Sequence, residues 1–120
     1  MLPTASRLRD SDSFRVASRE GRRSGSRTLV THLLVASDGE ASVLSGGTSV
    51  PRVGFVVSKA VGGAVVRTRV KRRLRHAVAA QLAALPPASV LVVRATPAAA
   101  SASFAELDRD LRHCLARVCS

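Results

Sequence analysis

Apolar residues recur along the chain with two different periods, and these predict strands and helices in turn. Residues 28–36 and 90–93 are short, mainly apolar runs of the kind that form buried strands. Residues 52–58 alternate in character, which indicates a strand with two unlike faces. The face expected to meet helices carries Val53, Phe55 and Val57.

A helical period follows that third strand. From the turn at residues 62–63 to about Ala84, aliphatic side chains recur every three or four positions, and Pro86 then ends the helix. The apolar stripe consists of Val66, Val70, Leu74, Val78 and Leu82. Another helix is predicted after Ser103, which can form a capping box with Glu106. Its apolar face consists of Phe104, Leu107, Leu111, Leu115 and Val118.

The segments between these elements are polar or short. Residues 1–9 are expected to be flexible, and residues 10–21 predict a helix with Phe14 as its one aromatic side chain. Residues 22–27 predict a basic loop, and residues 37–51 predict a hairpin connection. The whole chain is thus predicted to be a single α+β domain with one mixed sheet of about four strands. Its expected order is helix, strands, helix, strand, helix.

Charge adds a strong constraint to this picture. The chain has 19 lysines and arginines against 8 acids, a formal charge of +11, so nucleic acid is the expected partner. Residues 67–75 alone carry six positive side chains and no acid. Repulsion between residues three and four apart disfavours such a helix. Burial of the apolar stripe or a bound polyanion must therefore offset the repulsion.

The basic residues of this helix point in more than one direction. At about 100° per residue, the side opposite the apolar stripe carries Arg69, Arg72, Arg73 and His76. Lys71 and Arg75 lie at one edge, and Arg67 falls within the apolar arc. Two basic groups that face different ways suit a helix held by folded RNA, although a merely solvated charge run is the alternative.

The same residues carry a family resemblance. V-G-F-V-V-S-K at residues 53–59 and V-G-G-A-V-V-R-T-R-V-K-R-R-L-R at residues 61–75 resemble the signature of the bacterial ribonuclease P protein subunit. In that family a strand ending S-K-K is followed by G-N-A-V-x-R-N-R-x-K-R-x-x-R. The matching residues are Ser58, Lys59, Gly62, Ala64, Val65, Arg67, Arg69, Lys71, Arg72 and Arg75. Ala60, Gly63 and Thr68 depart from it, where lysine, asparagine and asparagine are usual.

The resemblance implies a fold, partners and a division of labour. The strand–helix–strand crossover would be left-handed, against the general rule. The protein would be part of an RNA-catalysed endoribonuclease that matures the 5′ end of tRNA in the cytoplasm. Its partners would be the catalytic RNA and precursor tRNA, with no membrane and no small-molecule substrate. The holoenzyme would require Mg²⁺, held mainly by the RNA.

The resemblance also assigns residues to two sites. The predicted catalytic-RNA site consists of Lys59, Arg67, Thr68, Arg69, Lys71, Arg72 and Arg75. The predicted site for the single-stranded 5′ leader consists of Phe14, His32, Arg52 and Arg94. A base could stack on Phe14 or on His32. For both side chains, a structural role in the core is the alternative.

Nothing in the sequence predicts hydrolysis by the protein itself. The acids lie in helix starts, a loop and the last helix, and the three histidines show no spacing typical of a site. There is no nucleotide-binding loop of the Walker type, and Cys114 and Cys119 fit no common zinc pattern. The expectation is a protein with no catalytic residues and no metal ligands of its own.

Two other functions stay open at this point. One is a ribosomal protein of similar fold, and the other is a DNA-binding regulator that lays the basic helix in a major groove. The regulator is disfavoured because Val66, Val70 and Leu74 must pack inward. No apolar run approaches membrane-spanning length, and the N-terminus lacks the apolar core of a secretory signal.

Overall fold

The computed structural model describes residues 21–34, 51–86 and 89–119, which form one four-stranded sheet and two α-helices. The strands are β1 (Arg22–Gly25), β2 (Leu29–Leu34), β3 (Arg52–Val56) and β4 (Val90–Ala95). The α-helices are α1 (Ala64–Gln81) and α2 (Phe104–Val118), and short 3₁₀ helices cover Leu82–Ala84 and Pro97–Ser101. The predicted α+β class with one mixed sheet is confirmed.

The sheet has the order β1-β2-β4-β3. β2 pairs antiparallel with both β1 and β4, whereas β3 pairs parallel with β4. Two parallel neighbours need a crossover connection, and α1 supplies it between β3 and β4. The handedness of this crossover stays a prediction.

The prediction of a basic loop at residues 22–27 was wrong, because its first four residues form β1. The strand is an edge strand with mostly exposed side chains, so it lacks the apolar signal that marks the other three. Ser24 is buried opposite Thr31, whose hydroxyl donates to the Ser24 carbonyl oxygen. The predicted helix that contains Phe14 and most of the predicted connection at 37–51 lie outside the described residues.

The core lies between one face of the sheet and the two α-helices. The sheet contributes Leu29, Leu33, Val53, Leu91 and Val93, and the helices contribute Val70, Leu74, Val78, Leu107 and Leu111, all at most 1 % exposed. The predicted apolar stripe of α1 therefore faces the sheet, with Val66 and Leu82 partly buried at its ends. The predicted apolar face of α2 is wrong only at Phe104, which is 38 % exposed.

The entry into α1 depends on two adjacent glycines with different roles. A side chain at Gly62 would place its Cβ 2.9 Å from a methyl group of Val66, so the close approach requires glycine there. At Gly63, the N-cap residue, an added Cβ meets nothing within 4 Å. An asparagine, which is usual at this position in the resembled family, would fit in place of Gly63. Glycine as the N-cap instead of asparagine lowers helix stability by only a few tenths of a kcal/mol.

Leu74→Ala should lower the free energy of unfolding by about 2–5 kcal/mol. The side chain of Leu74 is fully buried between α1 and the sheet, so its truncation leaves a cavity there. Urea denaturation measures the change, and Val65→Ala serves as the matched control. Val65 is 81 % exposed on the same helix and should shift stability by less than about 0.5 kcal/mol. Equal effects of the two variants would contradict the placement of the core.

Candidate nucleic-acid interface

One side of α1 is exposed along most of its length. The exposed stripe follows the helical period and consists of Val65, Thr68, Arg69, Arg72 and His76. A cleft of about 470 Å³ runs along its N-terminal half, lined by Ala64, Val65, Thr68, Arg69 and Arg72. The face predicted opposite the apolar stripe is therefore confirmed as exposed, except that Arg73 is half-buried.

Two arginines of α1 are fixed in place without being neutralised. Arg69 donates from Nη2 to the Ala100 carbonyl oxygen at 3.1 Å. Arg73 donates from Nη1 to the Ala102 carbonyl oxygen at 2.8 Å. Both acceptors are neutral and belong to the segment that joins β4 to α2. The contacts orient the guanidinium groups, and a neutral carbonyl oxygen does not offset their positive charge.

The described acids are all engaged elsewhere. Glu106 meets Arg27 at 2.6 Å, Asp108 meets Arg112 at 3.0 Å, and Asp110 accepts a hydrogen bond from the Thr28 hydroxyl. Glu106 also completes the predicted capping box, and its hydrogen bonds with Ser103 lower the pKa of its carboxyl group. Among the residues described, no ion pair reaches α1. The three acids that the structure describes therefore do not offset the positive charge of α1.

The other predicted catalytic-RNA residues surround this stripe. Lys59 is exposed in the turn before α1, where the Val61 amide donates to the Ser58 carbonyl at 3.1 Å, and Arg75 is exposed on the helix. Arg67 and Lys71 are half-buried, and Arg67 Nε is buried without a hydrogen-bond partner. The helix and the turn before it thus hold the whole predicted set, with Arg67 inside the apolar arc as the sequence predicted.

The strand register brings a second basic group together on the sheet face opposite the helices. His32 pairs with Arg23 on one side and with Val92 on the other. Arg52 pairs with Val90, and Arg94 follows two residues after Val92 on the same face. His32, Arg52 and Arg94, three of the four predicted leader residues, therefore share one face. Phe14 lies outside the described residues.

The centre of this face is buried. His32 is only 8 % exposed, and Val90 and Val92 are buried beside it. Arg94 and Arg23 are exposed, and Arg52 is half-buried. Sequence reasoning missed Arg23 because its segment was predicted to be a loop. Its position opposite His32 follows only from the pairing of β1 with β2.

The surroundings of His32 disfavour the protonated form of its imidazole. Burial, followed by the nearby charges of Arg94 and Arg23, lowers the pKa of its imidazole below 6.5. Its Nδ1 is buried without a hydrogen-bond partner. The folded protein resists protonation of His32 more than the unfolded chain does. This residue therefore makes stability fall as the pH drops through 6.5 towards the lower folded-state value.

Arg94→Gln should raise the pKa of His32 while leaving it below 6.5, because burial remains. An NMR titration of the imidazole resonances gives the value directly. Arg75→Gln on α1, across the sheet, removes the same charge and should leave the pKa of His32 unchanged. A His32 pKa insensitive to Arg94 would contradict the shared face.

The described residues do not fit a protein-held Mg²⁺ site. Residues 21–34, 51–86 and 89–119 contain no group of three His, Cys, Asp or Glu side chains placed to hold a metal ion. Their acids contact Arg27, Arg112 and Thr28 instead. The predicted Mg²⁺ requirement and the predicted lack of metal ligands stay predictions. In the same residues, neither helix has the length and apolar character that a membrane span needs.

Sequence comparison finds relatives over nearly the full chain. The profile of the family described as Ribonuclease P matches residues 2–119. A Nocardioides protein named Ribonuclease P protein component is 57 % identical over 118 residues, which cover 98 % of this chain and 95 % of that protein. A Streptomyces griseus protein of the same name is 55 % identical over 118 residues, with the same coverage of both chains.

Solved structures agree with the fold. The ribonuclease P protein of Staphylococcus aureus superposes with a TM-score of 0.77 at 23 % identity and covers 94 % of this chain and 96 % of that one. The ribonuclease P protein of Thermotoga maritima superposes with a TM-score of 0.74 at 22 % identity, covering 93 % and 96 %. At these identities the likeness shows a shared fold.

Proposed function

We propose that this chain, which belongs to the ribonuclease P protein family, binds the catalytic RNA through α1. It is the protein component of an endoribonuclease that matures the 5′ end of tRNA. The contacts would be made by the set predicted from the sequence, Lys59, Arg67, Thr68, Arg69, Lys71, Arg72 and Arg75.

The single observation that carries this proposal is the positive charge of α1, which no acid among the described residues offsets. Its described neighbours include no acid in an ion pair with it, and Arg69 and Arg73 are held only by neutral carbonyl oxygens. Guanidinium groups that are already oriented lose little freedom when they bind phosphate. The uncapped N-terminus of α1 adds the partial positive charge of its free amides. An RNA backbone is the polyanion that matches such a surface.

The second basic group is proposed to hold the 5′ leader of precursor tRNA. Arg94 and Arg23 are exposed and would contact phosphates of a single strand, with Arg52 at the edge strand β3 and His32 between them. Because His32 is buried, its contribution would be to shape the surface beneath the two arginines. Phe14 remains part of the predicted leader site, outside the described residues.

The chemical step is proposed to belong to the RNA. The described acids support the fold through α2, and neither His76 nor His113 lies in a cluster suited to metal binding. The protein would act in the cytoplasm by placing two polyanions, the catalytic RNA and precursor tRNA, side by side. Mg²⁺ would be held mainly by the RNA.

Arg94→Gln should weaken binding of leader-bearing precursor tRNA to the holoenzyme by about tenfold, as expected for one lost contact to a charged group. Binding of mature tRNA, which lacks the leader, should change little. The measurement is the equilibrium affinity of both RNAs for holoenzyme assembled with each variant. Arg109→Gln, an exposed arginine on α2, is the control for the loss of one charge. Equal losses for precursor and mature tRNA would remove Arg94 from the leader site.

A further inference from the structure

A cleft beside the basic side of α1 contains an aromatic side chain that the core does not use. Phe104 opens α2 directly after the capping residue Ser103 and is 38 % exposed, whereas Leu107, one turn later, is fully buried. The cleft has a volume of about 300 Å³ and is lined by Arg72, Arg73, His76 and Phe104. The aromatic ring therefore faces the arginines of α1.

The two rings in this cleft leave flat surface available. The centroids of His76 and Phe104 are 5.4 Å apart, and the ring planes meet at 79°. In such an edge-to-face pair one ring presents its edge, so its own faces are not covered by its partner. The other ring keeps one face free of the contact. A planar ligand can stack beside this pair.

The charges in the cleft define the ligand further. Arg73 is anchored to the Ala102 carbonyl oxygen at 2.8 Å, and Arg72 is exposed. Neither has an acidic partner among the described residues. An aromatic face next to uncompensated guanidinium groups is the combination that binds a nucleotide, with the base on the ring and the phosphate on the arginine.

The volume of this cleft and its position next to the cleft along α1 favour one nucleotide of a longer RNA as the ligand. A volume of about 300 Å³ lies at the lower limit of small-molecule sites, and the bases of a duplex are stacked on each other and cannot enter. Arg72 also lines the larger cleft with Val65 and Thr68. An RNA bound along α1 would therefore reach Arg72, at which the two clefts meet.

We propose that this cleft binds one unpaired nucleotide of the catalytic RNA, with its base stacked on Phe104 and its phosphate on Arg72 or Arg73. The proposal rests on the proposed binding of that RNA by α1. This cleft would select an unstacked base, whereas the rest of the α1 surface would contact only phosphates.

Substitution of Phe104 separates stacking from charge. Phe104→Leu keeps an apolar side chain but removes the flat face, and it should weaken binding of the catalytic RNA by roughly tenfold. Phe104→Tyr keeps the flat face and should bind like the wild type. Because no phosphate contact is lost, neither variant should alter the salt dependence of binding. Thermal unfolding of both variants controls for folding, and wild-type affinity of a folded Phe104→Leu variant would overturn the proposal.

Photo-crosslinking tests the same site without relying on affinity. A benzophenone amino acid at position 104, in the assembled holoenzyme, should crosslink to one unpaired nucleotide of the catalytic RNA. Crosslinks to precursor tRNA, to a base-paired segment or to no RNA would each overturn the proposal. Loss of RNA binding on substitution of Arg69, which lines the cleft along α1 but not the cleft at Phe104, supports the proposed function independently. A failure at Phe104 can thus be distinguished from a failure of α1 as the RNA contact.

Discussion

Cleavage of precursor tRNA should require less Mg²⁺ with the protein present than the catalytic RNA requires alone. Both RNAs are polyanions, and a protein of charge +11 between them offsets repulsion that divalent ions would otherwise screen. The measurement is a Mg²⁺ titration of the cleavage rate with and without protein, on substrates that carry or lack a leader. The reduction should be larger for the leader-bearing substrate, because the proposed contacts of Arg94 and Arg23 need a leader.

Two outcomes of this titration would contradict the proposed division of labour. An identical Mg²⁺ requirement with and without protein would remove its role as an electrostatic cofactor and would favour a structural RNA-binding role. Cleavage in a parallel titration of nuclease-free protein without the catalytic RNA would show that the protein carries catalytic groups. The titration therefore tests both the protein's contribution and the assignment of the chemistry to RNA.

Loss of two arginines from the exposed side of α1 should weaken binding of the catalytic RNA by about tenfold or more for each arginine. The pair is Arg69 and Arg72, both exposed and both lining the cleft along α1. Hydrogen bonds to charged groups contribute roughly 1.5–3 kcal/mol each, so the double alanine variant should lose at least two orders of magnitude. Equilibrium binding at a fixed salt concentration measures the loss.

The matched control is a double variant that removes the same charge from α2. Arg109 and Arg112 are exposed on that helix, and Arg112 is already paired with Asp108 at 3.0 Å. Arg109→Ala with Arg112→Ala should leave RNA binding within a few-fold of the wild type. Comparable losses in both double variants would mean that the RNA responds to total charge and not to the basic side of α1.

The fold could be predicted from the sequence wherever apolar periodicity decides the structure. The stripe of α1 and the alternation of β3 place Val70, Leu74 and Val53 in the core, and the capping box marks the start of α2. The strand β1 could not be predicted, because an edge strand with exposed arginines is stabilised by pairing with β2 and carries no apolar pattern.

The candidate sites were predictable to different degrees. The basic side of α1 is a local feature of one helix, so spacing alone gives the directions of Arg69 and Arg72. The second basic group depends on which strands are neighbours, so the pairing of Arg23 with His32 could not be predicted. Phe104 was assigned to the core by its period, but at the first position of α2 it turns towards His76. Helical spacing does not specify which neighbour a terminal side chain meets.

The salt dependence of RNA binding tests most directly whether α1 contacts the phosphates of the catalytic RNA. The measurement is the slope of log K against log salt concentration for the catalytic RNA with the wild type, the α1 double variant and the α2 control. Each lost phosphate contact should reduce the steepness of the slope by about one. We expect a reduction of about two for Arg69→Ala with Arg72→Ala and an unchanged slope for the α2 control. An unchanged slope and wild-type affinity in the α1 variant would contradict the claim that this helix is the main RNA contact.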